Sequence, residues 1–226
     1  MTVGDSRAKS RVFLVDDHPI IRQGLSQLIN SEPDLEVCGE ASSAGEALEK
    51  LIAPLPDLMI VDISLTDRNG VELIKDIVAK HPAMPCLALS MYDESMYAVR
   101  VLRAGGRGYI MKHEAPQKVI DAIRRVLDGH IYVSENMATR LVDQFVLTTP
   151  ASTSPTGELS DRELEVLTMI GRGMGTREIA EKLFLSVKTI EAHRERIKEK
   201  LKLKSGSELM RYAVQFTLDN PTAVKA

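Results

Sequence analysis

Between residues 11 and 129, five short apolar runs rich in β-branched side chains alternate with five stretches of helical periodicity. Few folds accept that order. The strand-like runs are residues 11–17, 35–41, 57–63, 86–91 and 108–112. Runs this short and this apolar read as strands buried on both faces of a parallel sheet. Pro19 stands where a helix starts, with Ile21, Leu25 and Leu28 at helical spacing after it. Ala47, Leu48, Leu51 and Ile52 form a second stripe. Leu73, Ile74, Ile77 and Val78 form a third, and Ala98, Val99, Val101 and Leu102 a fourth. Val119, Ile120, Ile123 and Leu127 make the fifth, closed by Gly129. Strand and helix in strict alternation predict an α/β fold, a flavodoxin-like doubly wound five-stranded parallel sheet in the order 2-1-3-4-5.

That order places the first and third strands side by side, and their ends carry acid. Val12-Phe13-Leu14-Val15 runs into Asp16-Asp17, and Leu58-Met59-Ile60-Val61 into Asp62. Ligands of open parallel sheets gather outside the carboxyl ends of the strands. Three carboxylates delivered there repel one another unless a cation sits among them. Asp17 and Asp62 are expected to hold it directly, Asp16 directly or through a water, and the Ser64 backbone carbonyl is a further oxygen. Such a site strips few waters from the ion, which suits Mg2+. A carboxylate beside a divalent ion can attack phosphorus, and Asp62 is the candidate nucleophile. Ser90 and Lys112 end the fourth and fifth runs, where a hydroxyl and an ammonium reach phosphoryl oxygens on Asp62. His18 is read as the start of the first helix at the rim of the site.

Beyond residue 130 the pattern changes. Residues 135–147 read as a helix, and residues 148–157, with two prolines and six Ser/Thr, as a flexible linker. Ser160-Asp161-Arg162-Glu163 is a capping box ahead of Leu164, Val166, Leu167 and Ile170. Gly171, Gly173 and Gly175 end that helix. Thr176 is the expected cap of a second helix and Ser186 of a third, reaching about Leu201. Two helices joined through Phe184-Leu185-Ser186 make a helix-turn-helix, and residues 207–218 a fourth helix. The second unit is therefore all-α and separate, with four helices.

Charge follows the same division. Residues 1–150 hold 21 Asp+Glu and 16 Lys+Arg, while residues 151–226 hold 11 and 13. Residues 188–204 hold seven basic side chains against three acidic, which points to nucleic acid. On the third helix, Val187, Ile190, Ile197 and Leu201 are expected inward. Lys188, Thr189, Glu191, Ala192 and Glu195 lie near its start, where a major groove is read. Arg194, Arg196, Lys198 and Lys200 suit phosphates. His193 is expected against the scaffold helix. Cys38 and Cys86 read as small buried residues, and no apolar stretch is long enough to span a membrane. With no signal-peptide core at the N-terminus, the expected location is the cytoplasm.

Residues 11–129 resemble the receiver of a two-component response regulator. Val15-Asp16-Asp17-His18 resembles its acidic-pair motif and Val61-Asp62-Ile63 its phosphoacceptor strand. Ser90 matches the switch hydroxyl, Tyr109 the switch aromatic and Lys112 the phosphate-binding lysine. Residues 159–203 resemble a LuxR-type DNA-binding domain through Leu159-Ser160-Asp161-Arg162-Glu163, Glu178-Ile179-Ala180 and Ser186-Val187-Lys188-Thr189-Ile190-Glu191-Ala192-His193. The whole resembles the NarL/FixJ subfamily. Ser64-Leu65-Thr66-Asp67 stands where the family often has a methionine-proline pair. The resemblance implies a receiver over residues 10–130, a helical and flexible linker over 131–157 and a helix-turn-helix domain over 158–222. It implies a sensor histidine kinase as phosphodonor, double-stranded promoter DNA as ligand and a homodimer on DNA, with Leu209, Met210 and Ala213 at the dimer contact. RNA polymerase is a possible further partner. Without phosphorylation, the receiver is expected to cover the DNA-reading helix. The alternative is a phosphorylation-independent DNA-binding regulator whose receiver only binds proteins; the complete acidic pocket argues against it. An aspartyl phosphatase is disfavoured, because its second Asp, two positions on, is here Ser64.

Overall fold

The computed structural model describes residues 8–147 and 155–220. Strands β1 (Ser10–Val15), β2 (Leu35–Ala41), β3 (Leu58–Asp62), β4 (Cys86–Ser90) and β5 (Gly108–Met111) form one sheet in the order β2-β1-β3-β4-β5. Every pairing is parallel, with Leu14 opposite Ile60 and Asp62 opposite Leu89. Helices α1 (Pro19–Asn30), α2 (Ala44–Lys50), α3 (Gly70–Lys80), α4 (Glu94–Arg103) and α5 (Pro116–Leu127) follow the strands in turn. Alternate strand residues serve opposite layers, as the pleat demands. Val12, Leu14, Leu58, Ile60 and Leu87 pack with α1 and α5 on one side, while Phe13, Val15, Met59, Val61 and Ala88 face α2, α3 and α4.

Helix α2 is shorter than its stripe suggests. It stops at Lys50, and Ile52 lies out in solvent. Pro54 and Pro56 follow closely, and a residue ahead of proline is driven out of helical geometry. Beyond α5, Tyr132 forms a parallel bridge with Gly108 and shields the β5 edge, and α6 (Glu135–Leu147) follows. Most of the expected flexible linker, residues 148–154, lies outside the described residues, while Pro155–Glu158 forms a 3-10 turn.

The second unit contains α7 (Asp161–Gly171), α8 (Thr176–Lys182), α9 (Val187–Lys200) and α10 (Gly206–Asp219). The capping box at Ser160 and Glu163 is present, so the helix start is satisfied in both directions. The cap of α8 is Gly175, not Thr176, which is already helical; Glu178 reaches back to the Gly175 amide instead. Phe184 takes a left-handed backbone (φ 52°) in the tight turn, and Ser186 caps α9 by accepting from the Thr189 amide at 3.0 Å. α7 and α10 touch closely at Gly171, where an added Cβ would lie 2.3 Å from the Ala213 carbonyl.

The two units meet along α3, α4 and the start of α7. Arg100 donates to the carbonyls of Leu159 at 2.7 Å and Thr156 at 2.6 Å, and pairs with Asp161 at 2.9 Å. Lys75 holds the other Asp161 oxygen at 3.1 Å. An acidic residue in the first turn of α7 is thus gripped by two cations of the first unit. At the far end, Ser95 donates to Asn220.

Candidate functional site

The carboxyl ends of β1, β3, β4 and β5 converge on one pocket. Asp16 and Asp62 are buried there, Asp62 to 1% exposure, and Asp17 stands at the rim. Lys112 Nζ bridges Asp16 Oδ2 and Asp62 Oδ2, each at 2.7 Å. The Ser64 amide donates to Asp62 Oδ1 at 3.1 Å. Burial pushes the Asp62 carboxyl up to about 6, helped by Asp16, against the pull of Lys112. Burial also raises Asp17, with His18 opposing. For Lys112, burial works against the charge, but Asp62 and Asp16 together win and hold it above the ordinary lysine range.

His18 does begin α1, but its side chain also enters the cluster. Its Nδ1 lies 2.7 Å from Asp17 Oδ1, 3.4 Å from Asp16 Oδ1 and 4.0 Å from Asp62 Oδ2. One ligand atom from each of Asp16, Asp17, His18 and Asp62 falls within 4.8 Å of the rest. Asp16 Oδ2 and Asp17 Oδ1 are buried, the first beside Lys112 Nζ and the second beside His18 Nδ1, each at 2.7 Å. Hard oxygens with lone pairs to spare, crowded by like charge, are a donor set that fits a divalent cation.

Ser90 is fully buried at the end of β4, and its Oγ accepts from the Tyr92 amide at 3.1 Å. Tyr109 points inward from β5 and donates its hydroxyl proton to the Tyr92 carbonyl at 2.8 Å. Two neighbours were not foreseen from sequence. Asn69 caps α3 through its bond to the Val71 amide, and Gly70 sits directly under the Asp62 backbone. A Cβ at Gly70 would fall 2.0 Å from the Asp62 carbonyl oxygen, so only glycine lets the loop after β3 close. The Asn-Gly pair just ahead of the third apolar stripe was the available signal.

In the second unit, α9 presents Lys188, Glu191, Ala192, Glu195 and Arg196 to solvent, while Thr189, Arg194 and Lys198 are half-buried. Ile190 and Ile197 face inward as expected, but Val187, at the first helical position, is exposed. Lys198 pairs with Glu195, and Lys200 is tied to Glu163 at 2.6 Å, which makes it a structural cation of the domain. His193 is half-buried and its Nδ1 has no hydrogen-bond partner; burial lowers its pKa. Among the dimer residues named from sequence, Leu209 and Ala213 are buried inside the domain. Met210 remains exposed, alongside Val214 and Leu218, so the free apolar face of α10 is that one. The first unit does not cover α9. It docks on α7 because Arg100 and Lys75 meet Asp161 there. Cys38 is only partly buried, Cys86 fully, and both are free thiols. No helix among the described residues is long and apolar enough to cross a membrane.

Comparison with known proteins agrees with this geometry. Residues 12–124 match the response regulator receiver domain, and residues 157–213 match the bacterial regulatory proteins of the luxR family. The oxygen regulatory protein NreC of Staphylococcus carnosus is 40% identical over 210 residues, covering 91% of this chain and 97% of the relative. A LuxR-family two-component response regulator from Aurantimonas is 32% identical with a TM-score of 0.57, over 62% of this chain and 99% of that one. RcsB of Salmonella enterica serovar Typhimurium, bound to promoter rprA in the presence of the phosphomimetic BeF3-, is 25% identical with a TM-score of 0.61, over 91% of this chain and 98% of that one. The chain belongs to the two-component response regulators that join a receiver to a LuxR-type DNA-binding domain, and it is a transcription regulator, not an enzyme.

Proposed function

We propose that Asp62 is the phosphoryl acceptor of this regulator and that its modification governs binding to double-stranded promoter DNA. The observation that carries this reading is the shared grip of Lys112 on Asp16 and Asp62, at 2.7 Å each, with the Asp17 carboxylate crowded beside them. Asp16, Asp17, Asp62 and the Ser64 backbone carbonyl would hold Mg2+. When bound, the ion offsets the charge between the attacking carboxylate and the incoming phosphoryl group. Asp62 attacks the phosphorus of a phosphohistidine on a sensor kinase. The phosphorus–nitrogen bond breaks, and its electron pair returns to the imidazole, which takes up a proton. Lys112 then holds one phosphoryl oxygen and the Ser90 hydroxyl another, and Tyr109 follows Ser90 inward.

The reading divides the chain into a receiver at 10–130, a connecting segment at 131–157 and a DNA-binding domain at 158–222, of which 221 and 222 lie outside the described residues. Lys188, Thr189, Glu191, Ala192 and Glu195 would meet base edges, and Arg194, Arg196 and Lys198 phosphates. Two copies paired through the exposed face of α10 would set two α9 helices one DNA turn apart. RNA polymerase would be met from that DNA-bound dimer.

The test is Mg2+-dependent labelling with acetyl phosphate, followed by footprinting on the regulator's own promoters. Wild type takes one phosphoryl group and its footprints strengthen. The Asp62→Asn protein takes none and its footprints do not respond. Equal labelling of the two proteins would refute the assignment.

A further inference from the structure

Tyr92 lies in the three-residue loop between β4 and α4, and four contacts single it out. Its amide donates to Ser90 Oγ at 3.1 Å. Its carbonyl accepts from the Tyr109 hydroxyl at 2.8 Å. Its buried ring stacks on Tyr97, with centroids 5.1 Å apart, and carries the Arg172 guanidinium 5.4 Å above its centre. Arg172 caps the end of α7, in the DNA-binding domain. The main chain of Tyr92 is therefore held by both residues read as the switch, and its side chain lies between Tyr97 of the receiver and Arg172 of the other domain.

We propose that Tyr92 is the positioning residue through which the acceptor pocket controls the seat of the DNA-binding domain, with its ring as the receiver's half of a latch closed by Arg172. The proposal rests on the reading of Asp62, Ser90 and Tyr109 given above. Drawing the Ser90 hydroxyl toward a phosphoryl group on Asp62 removes the acceptor from the Tyr92 amide. A buried amide without an acceptor is costly, so the loop turns until it finds one. Inward movement of Tyr109 takes the second restraint from the same residue. A guanidinium is attracted to a ring only within about 6 Å of its centre. At 5.4 Å, Arg172 is already near that limit, so a loop shift of roughly 1 Å opens the latch. The loop is then one element with two arrangements, biased from both sides, which is what coupling between sites requires.

The test uses the full chain, with a dye pair introduced through unnatural amino acids at exposed Gln117 and Glu199, so that opening between domains is read as a distance change. Beryllofluoride with Mg2+ is the phosphoryl mimic, and fluorine NMR reports whether it is bound. In the unliganded protein, Tyr92→Leu and Arg172→Ala should each raise the opening constant about two- to fivefold, the range for an exposed cation–π pair. The double variant should open no further than the larger single one. With beryllofluoride bound, wild type should open and that non-additivity should vanish. Arg172 is exposed, so its truncation reads the latch even if Tyr92→Leu disturbs the loop. Additive single variants, or coupling that persists with fluoride bound, would overturn the relay alone. Absence of any bound-fluoride signal would overturn the acceptor reading, and the relay with it.

Discussion

At the scale of single residues, Asp62 is built at a cost to stability. In an unfolded chain its carboxyl ionises near 3.8; in the pocket, burial and Asp16 hold it up to about 6. Between those values the folded state keeps the extra proton, so Asp62 favours folding at low pH and that advantage is lost as pH rises through about 6. Asn carries no such titration. Urea unfolding in EDTA should show Asp62→Asn gaining about 1–3 kcal/mol on wild type between pH 4 and pH 7. Parallel pH profiles would remove the argument. Gly70 is constrained by contact in place of charge: Gly70→Ala drives a methyl against the Asp62 carbonyl. It should cost about 1–3 kcal/mol in the same assay, with the damage centred on the loop after β3. Asp16, Asp17, Asp62, Ser90 and Lys112 were legible because strand ends are legible, and parallel strands in this order deliver their ends to one edge. Tyr92 and Arg100 were not, because each matters through a partner far along the chain, and Gly70 left only the Asn-Gly pair at the start of α3 as a signal.

At the scale of elements, α9 divides its labour along its length. Its start is capped by Ser186 and presents Glu191 and Ala192 outward; its end is tied back by Lys200 to the capping glutamate of α7. Replacing exposed Arg196 by Ala should weaken binding to all duplexes alike and lower the slope of log affinity against log salt by about 1. Glu191→Ala should instead relax preference at one base pair, by about 1–3 kcal/mol. Fluorescence anisotropy over a salt series, on specific and random duplexes, separates the two, and identical salt slopes for wild type and Arg196→Ala would contradict the phosphate role. Four of the five strands lie within the segments expected from their apolar runs, and β1 starts one residue early, at Ser10. Helix ends were less legible. Leu51 and Ile52 keep the stripe of α2 going on paper, yet the prolines behind them end the helix at Lys50. Val187, Leu209 and Ala213 show the same limit: periodicity names a face of a helix, while neighbours decide whether that face meets the core or the solvent.

At the scale of the whole molecule, the decisive contact is an acidic helix start held by two cations. Arg100 makes two bonds to the second domain and one to the connecting segment at Thr156, and Asp161 is buried between Arg100 and Lys75. Arg100→Ala leaves that carboxylate with one partner and should weaken the docked arrangement by about 1–3 kcal/mol. Small-angle X-ray scattering of the unphosphorylated protein should then report a larger radius of gyration than wild type; an unchanged radius would mean that other contacts suffice. This docking leaves Lys188, Glu191, Ala192, Glu195 and Arg196 of α9 in solvent, so the first domain does not cover that face. The chain's own order of apolar runs, acids and helix signals determined the two folds, the pocket and the reading helix, because those follow from periodicity and from the chemistry of neighbouring residues. Which faces the two domains set against each other was decided only in the folded molecule. It depends on single charges such as Arg100 and Asp161 meeting at close range, and no local pattern in a sequence encodes the distance between surfaces that are joined through a separate segment.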